Sequence, residues 1–354
     1  MKLLSLLSVR IMDDTFARHR AMLRTALGPD IQKLIDDDDI TEVYVNSDYV
    51  VRVDSMHGRY ATNIVLTPDK VRRICEIVAG MNDQIINQDH PMLGVEISLL
   101  KIRAQLLYPP CSPCPTFFFR KKPRKIFSLE EYVANGTLSP FYYDKICSFI
   151  KERKNLVVCG ATGSGKTTFI NAILKKLAEV NPDHRLAILE DLPELQSSSR
   201  DVQYLVTSGN RASKVTMQDL VYVSMRLSPT RIIIGETRNR ECYDLLKAWN
   251  TGHPGGFTTV HADSTSDCLT RLELLAKEAF PEGGSGVTLD MQRLIGSTVD
   301  VIVSIQKKLV DGRERRLVDD MITLHGFDLS THQYLIQREK PDGSLSGNER
   351  KDVS

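Results

Sequence analysis

The sequence predicts an α/β protein, with a parallel, doubly wound sheet over residues 136–354 behind a smaller α+β domain over 1–135. Three observations carry this. From residue 140 onward helix and strand patterns alternate, which is the order of a parallel sheet with crossover helices. A glycine-rich loop, Gly160 to Thr168, stands between a short apolar strand and an amphipathic helix. The composition also changes after Arg120: Lys121-Lys122-Pro123-Arg124-Lys125 is polar and basic, and Asn135-Gly136-Thr137-Leu138-Ser139-Pro140 is rich in turn formers. The linker falls between these stretches. At 354 residues, two domains can each bury a core.

In the first domain a helical pattern runs from about Met12 to Ile35. It ends at the acidic run Asp36-Asp37-Asp38-Asp39, which reads as a solvated loop and not a metal site. Strands are expected over Thr41–Asn46 and Tyr49–Asp54. Thr67 as N-cap and Pro68 in the first turn open a helix to about Met81. Further strands span Ile97–Tyr108 and Thr116–Arg120, flanking a loop with Cys111 and Cys114. The second domain begins with a helix over 140–153 and the strand Asn155–Cys159. In the helix Phe169–Val180, Phe169, Ile170, Ile173, Leu174 and Leu177 share one face. Strands at Arg185–Glu190, Arg231–Ile234 and Phe257–His261 alternate with helices at Met217–Met225 and Glu241–Asn250. The tail beyond Gly343 is polar and reads as frayed.

The balance of 46 basic and 45 acidic residues gives a net charge of +1, which argues against a protein that coats DNA. The basic segments Arg120–Lys125 and Arg313–Arg316 read as solvated faces. No apolar run reaches the roughly 18 residues that a membrane span needs. Met1 to Leu7 is too short for a signal peptide, and Arg10 and Asp13-Asp14 follow with no small-residue cleavage site. The chain therefore reads as cytosolic. Its seven cysteines read as reduced thiols. Cys111 and Cys114 have redox or zinc spacing but no second close pair, and read as incidental thiols in a proline-rich loop.

The loop Gly160-Ala161-Thr162-Gly163-Ser164-Gly165-Lys166-Thr167-Thr168 has the residues a phosphate cradle needs. Its glycines let backbone N–H groups curl around a phosphate, and the helix start adds partial positive charge. Lys166 can reach the β- and γ-phosphates, and the Thr167 hydroxyl can ligate Mg²⁺. Glu236, ending the strand Arg231–Ile234, is placed to act on the attacking water as a catalytic acid or base. Glu190, Asp191 and Glu194 cluster at another strand end, where ligands bind in such sheets. Glu190 or Glu236 could be the residue that orients water, with Asp191 in support. His253 and His261 flank a Gly-Gly turn at no tight metal-ligand spacing, and can couple a γ-phosphate to neighbouring motion.

Taken together the four segments resemble the traffic ATPases of type II and type IV secretion systems. The phosphate loop Gly160–Thr168 is followed by an acidic box at Glu190–Glu194, a strand ending Gly-Glu at Ile232–Glu236, and a histidine box at Thr251–His261. Leu23 to Pro29, Val43 to Asn46, Pro115 to Lys121 and Ala248 to His253 are similar to the conjugal-transfer branch. The resemblance covers about 20–335, with departures at Pro193 and in the Cys111/Cys114 loop. It implies a RecA-like P-loop NTPase sheet and a first domain that closes over the nucleotide. Arg103 and Arg120 fall where the family places nucleotide-binding arginines.

The expected function is ATP hydrolysis with Mg²⁺ as cofactor, powering type IV secretion or conjugative DNA transfer. The resemblance also implies a homohexamer, partnered by inner-membrane secretion or conjugation components at the cytoplasmic side of that membrane. No sequence-specific nucleic-acid binding is expected. The alternatives are a type II secretion or pilus motor, a nucleic-acid-handling ATPase such as a helicase, and a scaffold that binds ATP without hydrolysing it.

Overall fold

The computed structural model describes residues 2–55, 58–97, 100–122, 126–208, 214–280, 285–310 and 313–340. The chain divides into two compact units, Met1–Arg124 and Lys125–Ser354. Among the described residues no helix is long and apolar enough to cross a membrane.

The first unit lays its helices on one face of a six-stranded antiparallel sheet. Helix α1 (Lys2–Asp36) is two helices joined at Gly28, whose φ of 76° and ψ of 169° leave the helical region just before Pro29. Proline cannot donate to the preceding turn, so the break falls where the sequence requires it. The sheet comprises β1 (Ile40–Val45), β2 (Val50–Ser55), β3 (Gly58–Val65), β4 (Met92–Ile97), β5 (Ile102–Leu107) and β6 (Thr116–Lys121), in the order β3-β2-β1-β6-β5-β4. Between β3 and β4 runs α2 (Pro68–Gly80), where the Thr67 side chain accepts from the Lys70 N–H. Alternation decides the faces. Val43, Val45, Val53, Ala104, Leu106, Phe117 and Phe119 point to one side and pack with Leu27 and Ile31 of α1 and Ile74 and Val78 of α2.

The second unit is an eight-stranded sheet covered by helices on both faces. In chain order it contains α3 (Leu129–Ala134), α4 (Pro140–Lys151), β7 (Leu156–Cys159), α5 (Lys166–Val180), β8 (Arg185–Glu190), β9 (Asp201–Val206) and α6 (Met217–Ser224). Then follow β10 (Arg231–Ile234), α7 (Glu241–Asn250), β11 (Phe257–Val260), α8 (Thr265–Lys277), α9 (Ser285–Thr298), β12 (Val301–Val310), β13 (Arg313–Asp328) and β14 (Gln333–Arg338). The strand order is β14-β13-β12-β7-β11-β10-β8-β9. From β12 to β9 every pair is parallel, and β13 and β14 add an antiparallel ribbon at one edge. Strands buried on both sides carry near-continuous apolar runs. Leu156, Val158, Ile188 and Ile233 pack under α3, α4 and α5. Val157, Ala187, Ile232 and Ile234 pack under α6 to α9.

Three departures from the sequence expectation concern the first unit and its boundary. The strand expected over Ile97–Tyr108 is shorter, β5 alone, and an unexpected strand before it, β4, pairs with it as a hairpin in which Lys101 takes a φ of 53°. No glycine or proline marks that turn, so the apolar run concealed it. The edge strand β3 shows little apolar alternation, being mostly exposed, and was not anticipated. Finally, the division between units falls at 124/125 rather than 135/136, because Leu129 and Tyr132 of α3 are buried in the second unit's core. Pro123, Arg124 and Lys125 of the basic stretch, and the tail beyond Gly343, lie outside the described residues.

Candidate functional site

The strand order builds the site. β7, β11, β10 and β8 are consecutive and parallel, so their carboxyl ends share one edge of the sheet, the edge at which α/β sheets bind ligands. The loop 160–165 leaves β7, His261 leaves β11, Gly235-Glu236 leaves β10, and Glu190-Asp191 closes β8. Segments up to a hundred residues apart thus meet side by side.

The loop itself needs its glycines. A β-carbon on Gly160 would lie 2.2 Å from the Ile305 carbonyl oxygen and 2.5 Å from Ser164 Oγ. Gly163 and Gly165 hold φ angles of 73° and 102°, in the left-handed region. No side chain caps α5 at Gly165, so the N–H groups of its first turn face the loop as anion donors. Ala161, Thr162 and Gly163 are exposed, whereas Thr167 and Thr168 are half-buried in the first turn of α5.

Lys166 is buried and donates to the carbonyls of Gly160 at 2.9 Å and Ala161 at 3.0 Å. Its Nζ also lies 3.1 Å from His261 Nδ1, and His261 Nε2 lies 2.9 Å from Glu236 Oε1. An ammonium only donates and a carboxylate only accepts. His261 is therefore neutral: its Nδ1 accepts from Lys166, and its protonated Nε2 stands at ion-pair distance from Glu236 Oε1 without a hydrogen bond between them. Burial and the Lys166 charge hold its pKa below the ordinary value, with Glu236 opposing them. Glu236 is held below the usual carboxylate range: burial would raise it, but the Arg238 hydrogen bond and charge prevail. Arg238 reaches Glu236 Oε2 at 2.7 Å and Asp191 Oδ2 at 3.4 Å, and Thr207 Oγ1 donates to Asp191 Oδ1 at 3.1 Å. The turn carrying Glu236 is pinned to β11, where Thr259 Oγ1 donates to the Gly235 carbonyl at 2.8 Å.

Glu190 is engaged differently. It is buried, and its Oε1 accepts the N–H groups of Glu194 and Leu195, both at 2.8 Å. The carboxylate thus shapes the acidic box. Gly235 passes so close that a β-carbon there would lie 3.1 Å from Glu190 Cγ.

Not every expected residue joins this cluster. His253 precedes β11 and pairs with the Pro229 carbonyl at 2.9 Å, at the opposite end of that strand from His261. Arg103 and Arg120 belong to the first unit, where they face each other across β5 and β6. Glu96 stands opposite Arg103, and Glu42 opposite Arg120, so four neighbouring strands carry an acid-base-base-acid row.

Two members of the cluster were not anticipated. Arg238 sits two residues beyond Glu236, a spacing that could have been noticed. Gln306 comes from β12 with no local signal. Its Oε1 accepts from the Ala161 N–H at 3.4 Å, and its Nε2 donates to the Asp263 carbonyl at 2.8 Å, tying the loop to the β11–α8 turn.

Comparison with known proteins agrees with this architecture. Residues 81–333 match the family model described as type II/IV secretion system protein. The conjugal transfer protein TrbB of Rhizobium radiobacter is 35% identical over 312 residues, covering 88% of this chain and 92% of that protein. The type IV secretion system protein VirB11 of Bartonella henselae is 27% identical, over 83% of this chain and 91% of its own. Among solved structures, the Legionella pneumophila ATPase DotB superposes with a TM-score of 0.60 at 18% identity, covering 84% of this chain and 80% of that one. That last likeness shows the fold alone. The family inferred from the four motifs is the one the comparisons return, and the chain belongs to the type II/IV secretion system protein family.

Proposed function

We propose that this chain hydrolyses ATP and couples the reaction to domain movement that drives type IV secretion, in the conjugative DNA-transfer branch. The observation carrying the reading is the chain of contacts Lys166–His261–Glu236 at the mouth of the glycine-rich loop. The 35% identity to a conjugal transfer protein supports the choice of branch.

In this reading the loop amides and Lys166 hold the β- and γ-phosphates. Water attacks the γ-phosphorus, the bond to the bridging oxygen breaks, and ADP leaves. Glu236 orients that water; its lowered pKa suits an acceptor that stays charged while negative charge is redistributed. Glu190 holds the acidic box in shape through its two backbone N–H bonds, and Asp191 holds Arg238 against Glu236. His261, touching both Lys166 and Glu236, passes loss of the γ-phosphate to β11 and α8. The donor set is oxygen only (the Thr167 hydroxyl with nearby carboxylates), which fits Mg²⁺, an ion that takes few protein ligands and keeps waters and phosphate oxygens. Bound there it would neutralise phosphate charge. The working form is a homohexamer on the cytoplasmic side of the inner membrane, docked on secretion components.

Phosphate release by wild type, Lys166→Ala and Glu236→Gln tests the reading. Glu236→Gln should retain ATP binding and lose turnover by roughly 100-fold or more. Equal, negligible rates in wild type and Glu236→Gln would instead indicate a scaffold that binds ATP without hydrolysing it.

A further inference from the structure

The hairpin of β12 and β13 brings two cations against the loop from the side opposite His261 in the strand order. Lys307 and Arg316 are direct cross-strand partners on it. A β-carbon built on Gly165 would meet Arg316 Cδ at 3.2 Å and Nε at 3.6 Å, and one on Gly163 would lie 4.0 Å from Lys307 Nζ. The glycines therefore leave room over which these side chains lie.

Like charges directly opposite on neighbouring strands destabilise a sheet. Lys307 is partly compensated by Glu314, whose Oε1 is 3.3 Å away. Arg316 has no carboxylate within ion-pair reach among the described residues, and it is exposed. The sequence reads Arg313–Arg316 as a solvated face, yet the hairpin sets its last member on the loop that would cradle phosphate. An arginine fork matches phosphate oxygens in shape and charge, and a lysine adds a point charge.

We propose that Arg316 and Lys307 form a second, cationic wall of the phosphate site, contacting the phosphate oxygens of a bound nucleoside di- or triphosphate. This rests on the nucleotide reading above. An anion between the two side chains relieves their mutual repulsion, and the hairpin reports nucleotide occupancy to the sheet edge.

The test is titration of the full chain with a fluorescent N-methylanthraniloyl-ADP, with ADP and inorganic tripolyphosphate as competitors. Arg316→Gln should weaken ADP and tripolyphosphate alike by about 10-fold, the scale of a charge-assisted hydrogen bond. Lys307→Ala should weaken both less, and Arg316→Lys should recover part of the loss. Melting without nucleotide should match wild type, because both side chains are exposed. Unchanged ADP affinity in Arg316→Gln, with wild type binding normally, overturns the wall alone. Weaker ADP with unaltered tripolyphosphate overturns it too, since the side chain would then be reading the base. A wild type that fails to bind ADP removes the nucleotide reading and the wall with it.

Discussion

His261 Nε2 lies 2.9 Å from Glu236 Oε1, and the imidazole is neutral because its other nitrogen accepts from Lys166. Protonating His261 would set two cations 3.1 Å apart. Burial and the Lys166 charge lower its pKa, so the folded protein keeps it neutral at and above the ordinary value of 6.5. A group with a depressed folded pKa contributes stability that is present above the unfolded value and lost as pH falls. ATP turnover should therefore be flat from about pH 6.5 to 8 and decline only below 6.5. His261→Asn, which can accept and donate without titrating there, should flatten that acid limb. Identical limbs in the two pH–rate profiles would refute the assignment.

Arg238 links the carboxylates of Glu236 and Asp191, which belong to different strand ends. Arg238→Ala should let the Glu236 pKa rise, since the arginine's hydrogen bond and charge are what hold it down against burial. Turnover should fall by roughly 10-fold with little change in KM, because the arginine orients the carboxylate and is not placed to bind substrate. Arg238→Lys should recover part of the rate. A change confined to KM would show that Arg238 binds nucleotide instead.

The fold was legible where burial imposes a pattern. β7 and the Ile232–Ile234 run of β10 are apolar because they are buried on both faces, and the P-loop glycines are visible because backbone geometry demands them. The four strand-end segments could be listed from the sequence, but their adjacency depends on the order β7-β11-β10-β8, which no local signal encodes. For that reason His253 and His261 looked alike in sequence, yet a strand's length separates them. Gln306 and Arg316 were missed for the same cause, since they reach the loop only through sheet pairing. Glu190 and Glu236 looked interchangeable until backbone N–H groups were found on one and a histidine and an arginine on the other.

Arg231 is fully buried at the start of β10 and has four neutral partners. It donates to His184 Nδ1 at 3.0 Å, the Gly255 carbonyl at 2.8 Å, the Ile150 carbonyl at 2.6 Å and Asn181 Oδ1 at 3.1 Å. Burial, then the Arg153 charge, push its pKa down to about 10. One side chain thus clamps the ends of α4 and α5 and the turn before β11. Arg231→Leu removes a desolvated cation but leaves those acceptors without their donor, and should cost about 2–4 kcal/mol in denaturant unfolding. A more stable Leu variant would mean that the charge costs more than its bonds return.

His184 extends this argument to pH. It must be neutral to accept from Arg231, and burial followed by the charges of Arg231 and Arg153 lowers its pKa. The unfolded chain takes up this proton near pH 6.5, before the folded one does, so stability should fall as pH drops below 6.5 and be level above it. His184→Gln keeps an acceptor without a titration in this range and should reduce the slope. An unaltered slope of unfolding free energy against pH would place the effect elsewhere.

Two glycines should respond oppositely to alanine. A β-carbon on Gly256 would lie 2.1 Å from Trp249 Nε1 and 2.2 Å from the Ile232 carbonyl, the two atoms joined by a buried 3.0 Å hydrogen bond. Neither can give way easily, because the carbonyl is backbone of a central strand and the indole is packed in the core. Gly256→Ala should cost about 3 kcal/mol, from overpacking and a broken buried bond together. Gly80 closes α2, is exposed, and has nothing within 4 Å of a built β-carbon. Gly80→Ala should be neutral or stabilise by up to about 1 kcal/mol, through helix propensity and a less flexible unfolded chain. Chemical denaturation of both variants checks the pair, and a Gly256→Ala protein as stable as wild type would show that β10 and β11 can part to admit a methyl group.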